Sequence, residues 1–398
     1  MKKLGLVVNP VAGVGGRVGL KGSDGADVLR QALELGAARE APRRALLALE
    51  RIARFADEIE VVTWPGEMGE DEARAAGFEP VVRGSFAGRE SWLELERGRG
   101  HDESALSAVG EFTATTAADT EAAASSFEAA GVDLILFAGG DGTARNIYNA
   151  VGARVPVIGI PAGVKIHSAV YATTPAAAGD LVALFLHDRP AAIRLREAEV
   201  MDIDEGAFRE NRVSAHLYGY MEVPFARGLV QSAKAGGVAG EQSVLHDVAM
   251  DVIAAMLPGE LEILGPGTTT RTIMDRLGLP KTLLGVDAVV DGALVAADAT
   301  ERELLTLLDQ YPAAQIVVTV IGGQGHVFGR GNQQISPAVI RRVGLDRIRV
   351  IATQTKLLSL EGRPLLVDTG DPALDAGLCG YVKVTTGLGE RTMYKVGV

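Results

Sequence analysis

Asp141 stands at the centre of GGDGT (139–143), among glycines that would otherwise suit a phosphate-holding loop. A carboxylate about 4 Å from a phosphate charge is repelled by roughly 4 kcal/mol at an effective dielectric of ~20. Two arrangements reverse that sign. A Mg²⁺ ion can bridge carboxylate and phosphate, or the carboxylate can accept the proton of an alcohol while a phosphoryl group is transferred to it. Either makes Asp141 the candidate catalytic and metal-binding residue. Gly139, Gly140 and Gly142 would let backbone approach phosphate, and Thr143 would cap the following helix. In an isolated GGDG, an Asx turn or helix cap carries equal weight. An ordinary aspartate is a weak base, so orientation and metal charge would be the larger contributions.

Other strand-end loops carry similar residues. NPVAGVGG (9–16) offers Asn9 and Gly13, and GIPAGVKIHSAVYATTP (159–175) offers Lys165, His167 and Ser168. GPGTTTR (265–271) follows an apolar LEIL and precedes RTIMDRLGL, which places Gly265, Gly267, Thr268, Thr269, Thr270 and Arg271 at a helix start. Amides, hydroxyls and a guanidinium there suit phosphate, with a purely structural turn as the alternative. The spacing G-x-G-x-x-T is one residue short of a dinucleotide fingerprint. IGGQGHVFGRGNQQ is too glycine-rich and polar for a core strand; Gly322, Gly323, Gln324, Arg330, Asn332 and Gln333 are candidates to bind base, ribose or phosphate, unless the segment is a long surface loop. MDIDE (201–205) reads as a solvated hairpin end or, less readily, as help for Mg²⁺.

The elements that must position these loops follow from periodicity. Apolar runs at 3–9, 58–64, 132–140 and 155–163 read as strands, with helical spacing over 26–56, divided at Pro42, and over 116–131. Strand–helix alternation implies an α/β fold with an open parallel sheet whose carboxyl ends carry the site. Residues 65–112 read as an insertion or loop region. After about residue 190 the pattern turns to antiparallel strands, and from Glu262 α/β units resume. The expected domains are an N-terminal α/β kinase lobe over 1–188 and a composite β and α/β lobe over 189–398.

Composition excludes several classes. The chain has 398 residues, 47% hydrophobic and 23% charged, with a net charge of -12 and no long basic run, which argues against nucleic acid as a partner. A single cysteine, Cys379, permits no internal disulfide and no thiolate metal cluster, so a reducing cytoplasm is the expected setting. MKKLGLVVNP lacks the apolar region and small-residue cleavage site of a secretory signal, so none is expected, and no apolar stretch long enough for a membrane span and no P-loop, HExxH or GxSxG motif is read in the sequence.

Taken in order, NPVAGVGG, GGDGTARN and GIPAGVKIHSAVYAT resemble the ATP-NAD kinase family, within the phosphofructokinase-like group that includes diacylglycerol kinases. GPGTTTR, TLLGVDAV (282–289), IGGQGHVFGRGNQQISP (321–337) and VDTGD (367–371) are similar to its larger bacterial and archaeal branch, described as predicted polyphosphate- or ATP-dependent NAD kinases. The resemblance implies Mg²⁺-dependent phosphorylation of the adenosine ribose 2′-hydroxyl of NAD to give NADP, with ATP or polyphosphate as donor, and a homo-oligomer. By motif, Asp141 would orient or deprotonate that hydroxyl, while Gly139, Gly140, Gly142 and Thr143 line the phosphate channel and Asn9 faces the same pocket. The downstream Asn-Glu/Asp pair by which better-known NAD kinases hold the ribose has no counterpart here. Another small-molecule or lipid hydroxyl as acceptor, or a nucleotide sensor without turnover, therefore stay open as alternatives.

Overall fold

The computed structural model describes residues 1–16, 18–20, 26–86, 115–163, 166–188, 193–203, 215–226, 229–230, 241–282, 284–321 and 324–398. The chain divides into two compact units, one of residues 1–15, 22–208 and 213–233, the other of 16–21, 209–212 and 234–398. No helix among the described residues is long and apolar enough to cross a membrane.

In the first unit, β1 (Lys2–Val8), β2 (Ile59–Thr63), β3 (Val81–Val82), β4 (Leu134–Gly139) and β5 (Val157–Pro161) form a parallel sheet in the order β3-β2-β1-β4-β5. The central strands are apolar almost throughout because both faces are covered by helices: Leu4, Leu6, Leu134, Leu136 and Phe137 are fully buried. From β1 the chain moves to β2 on one side, and from β4 to β5 on the other. The carboxyl ends of β1 and β4 thus bracket a topological switch point, where an open α/β sheet leaves a crevice. Asn9 and Gly140 follow those two strands directly.

The elements depart from expectation in three places. The helical break falls at residues 35–39, between Ala26–Glu34 and Glu40–Glu50, and Pro42 sits in the first turn of the second helix, where its missing N–H costs nothing. Residues 65–86, expected as loop, contain a 3₁₀ turn (Gly66–Met68), a helix (Glu70–Ala75) and edge strand β3; 87–114 lie outside the described residues. The antiparallel hairpin of β6 (Arg194–Ile203) and β7 (Ala215–Phe225), expected to open the second lobe, is part of the first unit. It is pinned there by Ala169 N donating to Glu199 O (2.8 Å), Met201 N donating to Ser168 Oγ (2.9 Å) and Tyr218 OH donating to Asn149 Oδ1 (2.8 Å).

The second unit is built on β8 (Leu261–Leu264), β9 (Asp287–Val290), β10 (Ala293–Ala296), β11 (Ala314–Thr319), β12 (His326–Phe328), β13 (Ile348–Ile351), β14 (Leu365–Val367), β15 (Gly380–Gly387) and β16 (Glu390–Gly397). These strands form one mixed sheet in the order β10-β9-β8-β11-β13-β15-β16-β14-β12, with β8, β11 and β13 parallel neighbours. Helices Glu241–Ala254 and Thr268–Leu277 pack on one face against Leu264, Val317 and Ile351; Glu301–Gln310 and Pro337–Val343 pack on the other against Ile263, Ile316 and Val318. The β8-to-β9 connection is locked by a buried ion pair: Lys281 Nζ lies 2.7 Å from Asp287 Oδ2, and Asp287 also accepts from Thr282 N, Thr282 Oγ1 and Asp298 N.

Glu262, on β8, is an anomaly in that sheet. It is 2% exposed, and neither carboxylate oxygen has a hydrogen-bond partner. Burial raises its pKa to about 7, with Arg349 opposing the shift in part. An acid whose folded pKa is raised binds its proton more tightly in the native state. Its native-state advantage is therefore complete below the unfolded value, near 4.5, and is lost as pH rises toward 7. Glu262→Gln should match the parent near pH 5 and exceed it by about 1–3 kcal/mol at pH 8, measured by urea unfolding at both values. A gain of equal size at both pH values would show that Glu262 does not ionise over that range.

Candidate active site

The helix Asp141–Val151 begins one residue after β4, with Gly140 as N-cap. Thr143 is therefore inside the first turn and does not cap it, contrary to the expectation from GGDGT. A carboxylate in the first helical turn is favoured by the helix dipole. Asp141 is 8% exposed and accepts two backbone hydrogen bonds from the loop after β5: His167 N donates to Oδ2 (2.8 Å) and Ser168 N to Oδ1 (3.0 Å). The β4 and β5 loops are thus tied by one side chain. Each carboxylate oxygen has two lone pairs, so both retain acceptor capacity after these bonds. The His167 ring stands beside this group, with Nδ1 3.4 Å from Asp141 Oδ2, buried and without a hydrogen bond of its own.

The first loop joins the same assembly. Asn9 Nδ2 donates to Thr143 Oγ1 (3.1 Å), while Asn9 Oδ1 accepts from Val11 N (3.3 Å). Its amide bridges the β1 loop to the helix start, and its side chain stays half-buried. Gly13 has φ +76°, and a Cβ there would stand 1.9 Å from Ala162 O, so the β1 and β5 loops meet backbone to backbone and only glycine fits. Gly140 and Gly163 meet in the same way: a Cβ on Gly163 would lie 2.7 Å from Gly140 Cα. Gly139 faces Thr143, whose Oγ1 would be 2.3 Å from an added Cβ.

The structure thus brings together Asn9, Gly13, Gly139, Gly140, Asp141, Gly142, Thr143, His167 and Ser168. Ser168 is fully buried, and its hydroxyl is engaged with the Met201 backbone, so it acts through its amide. Lys165 lies outside the described residues, as do Asp204 and Glu205 of MDIDE. Two positioning residues had escaped the sequence reading. Tyr171 OH donates to Gly140 O (2.5 Å), and the buried Arg44 guanidinium donates to Pro161 O (3.0 Å). Tyr171 was within reach, inside the quoted GIPAGVKIHSAVYAT; Arg44, in an alanine- and leucine-rich helix, carries no sequence signal.

The remaining candidates belong to the second unit. Gly267 caps the helix Thr268–Leu277, as the order of residues implied, and Thr270 Oγ1 donates to Gly267 O (3.0 Å). Thr268 is exposed, and Gly265 is buried beside Val318. Arg271 points to solvent and pairs with Asp275 one turn along its own helix (3.8 Å). Gly322 and Gly323 lie outside the described residues. The following segment is no surface loop: β12 is buried beside β14, and Gly329 lies so close to Asp368 O that a Cβ would stand 1.8 Å from it. Asn332 spends its amide on that loop, donating to Val327 O and accepting from Gly329 N. Arg330 lies buried near Asp368 (3.9 Å), Gln324 is buried and Gln333 half-buried.

The ATP-NAD kinase N-terminal domain model matches residues 4–189, and the ATP-NAD kinase C-terminal domain model matches residues 263–396. No curated protein matches the chain significantly. The first match spans the crevice loops and the second spans most of the mixed sheet. Together they take in well over half of the chain, which therefore belongs to the ATP-NAD kinase family and is a phosphotransferase enzyme.

Proposed function

We propose that the crevice at the carboxyl ends of β1 and β4 transfers a phosphoryl group from ATP or a polyphosphate to the adenosine ribose 2′-hydroxyl of NAD, with Asp141 orienting that hydroxyl. The observation that carries this reading is the fixed carboxylate. Asp141 is held by two amides at a helix start, beside backbone that glycine keeps bare. Its remaining lone pairs are the acceptors an alcohol proton needs. The amides of the crevice loops and the dipole of the Asp141–Val151 helix receive phosphate oxygens without any net positive charge on the chain. His167, with an uncommitted buried ring nitrogen next to Asp141, stands where it can take up a proton or contact the ribose.

Asp141, a carboxylate with spare lone pairs, fits Mg²⁺ in its usual kinase mode, with one or two protein carboxylates and the rest of the shell supplied by substrate phosphates and water. When bound, the ion would neutralise phosphate charge beside the carboxylate. Family membership and the single cysteine favour a cytoplasmic, homo-oligomeric enzyme.

Asp141→Asn should lower kcat by on the order of 10²–10⁴. It also sets an NH₂ group against one of two amide donors, so a stability loss of about 1–3 kcal/mol should accompany it. Tm and NAD affinity measured on the same variant separate the two effects, and normal turnover by a folded variant would remove Asp141 from the chemistry. A matrix of ATP and polyphosphate against NAD, NADH and small diols, each with and without Mg²⁺, should give NADP formation that EDTA abolishes. Transfer only to another alcohol would reassign the acceptor, and nucleotide binding without product would make the chain a sensor.

A further inference from the structure

The ring of Tyr171 lies in a gap that Gly159 leaves in β5. Residues 170–172 run beside that strand, with Gly159 N donating to Val170 O (2.9 Å) and Ala172 N donating to Gly159 O (2.9 Å). A Cβ on Gly159 would stand 2.3 Å from Tyr171 Cδ1, so the ring takes the place a side chain at 159 would need. It is fully buried there and meets Phe137 edge to face, with ring centroids 5.3 Å apart. From this position the hydroxyl reaches past the end of β4 and donates to Gly140 O (2.5 Å).

That carbonyl is satisfied without Tyr171, because Ala144 N donates to it (3.1 Å) as the first bond of the helix Asp141–Val151. The second donor therefore contributes orientation. Gly140 O and the Asp141 N–H belong to one trans peptide and point in opposite directions. Holding the carbonyl between Tyr171 and the helix turns the Asp141 amide out of the helix start, where the amides of the first turn have no intrahelical acceptor. Gly140 has no side chain of its own to restrain that plane. The Asp141 carboxylate is anchored separately, by the His167 and Ser168 amides. Amide and carboxylate of one residue are thus positioned by different partners. A phenylalanine at 171 would fill the same gap, and what the tyrosine adds at the helix start is the bond to Gly140.

We propose, resting on the reading of this crevice as a phosphoryl-transfer site, that Tyr171 is a positioning residue for its phosphate: the hydroxyl sets the peptide between Gly140 and Asp141 so that the Asp141 amide faces the phosphate oxygens. Tyr171 touches neither substrate nor reacting atoms. It acts through backbone that glycine would otherwise leave free to swing, and a donor fixed in advance stabilises developing charge without reorganising during the reaction.

Tyr171→Phe in the full chain tests this. Its ligand-free Tm should stay within about 3 °C of the parent, because the ring keeps its packing and Gly140 O keeps Ala144 N. Affinity for tripolyphosphate, measured by calorimetry well below Tm, should fall roughly 3–10-fold. kcat/KM for the phosphoryl donor should fall further, by about 10–100-fold, because the amide matters most to the charge of the transition state. A residue that only packs would lower Tm or change nothing, and would leave tripolyphosphate affinity intact. The proposal fails if the parent does not bind tripolyphosphate, if the variant binds it as tightly as the parent, or if Tm drops beyond that margin. Binding and Tm need no NADP formation, so a parent that binds tripolyphosphate but makes no NADP would sink the kinase reading while these two measurements still decide the role of Tyr171.

Discussion

The bonds from the His167 and Ser168 amides to the Asp141 carboxylate are the constraint on which the first unit's crevice depends. One side chain at the start of one helix fixes the loop that leaves the next strand, and it does so with charge-assisted bonds in a buried setting. The tie requires the loops to approach within backbone contact, which Gly13 against Ala162 and Gly140 against Gly163 permit. Asn9 then brings in the β1 loop through Thr143, and Arg44 and Tyr171 hold the carbonyls of Pro161 and Gly140. Polar groups that would be costly if buried alone are paired within the assembly, so a strand-end crevice can be both rigid and rich in acceptors and donors.

The second unit solves a related problem differently. Its loops are fixed by buried side-chain pairs, above all Lys281 with Asp287, and by Asn332 bridging its own turn. Where its polar groups are left uncompensated, the positions are informative. Glu262 lies under the sheet's helical cover with both oxygens unpartnered, and its cost is expressed as a raised pKa. Thr319, at the end of β11, likewise buries a hydroxyl without a hydrogen-bond partner, while its methyl group faces Gly267.

Much of this was legible in the residues. Apolar runs located nearly every strand of the first unit, because a strand buried on both faces cannot alternate. Glycine turns marked the crevice loops, and GPGTTTR announced a helix start correctly at Thr268. Pro42 failed for a local reason, since it sits in the first turn of a helix that tolerates it. Thr143 and the QGHVFG segment were judged by local propensity, whereas partners distant in sequence hold them: Asn9 for Thr143, and Asp368 with β14 for Gly329 and β12.

By itself, the order of residue types determined the α/β class, the three glycine-bearing loops of the first unit and the family to which they point, since periodicity and turn chemistry act over a few residues. Tertiary structure decided which of those polar groups remain available to a ligand. The Ser168 hydroxyl is spent on the Met201 backbone, whereas Asp141 keeps spare lone pairs after accepting from two amides. The hydrogen bond from Asn9 to Thr143, between groups more than a hundred residues apart in the chain, leaves no periodic trace, because only the folded sheet brings its two ends to 3.1 Å.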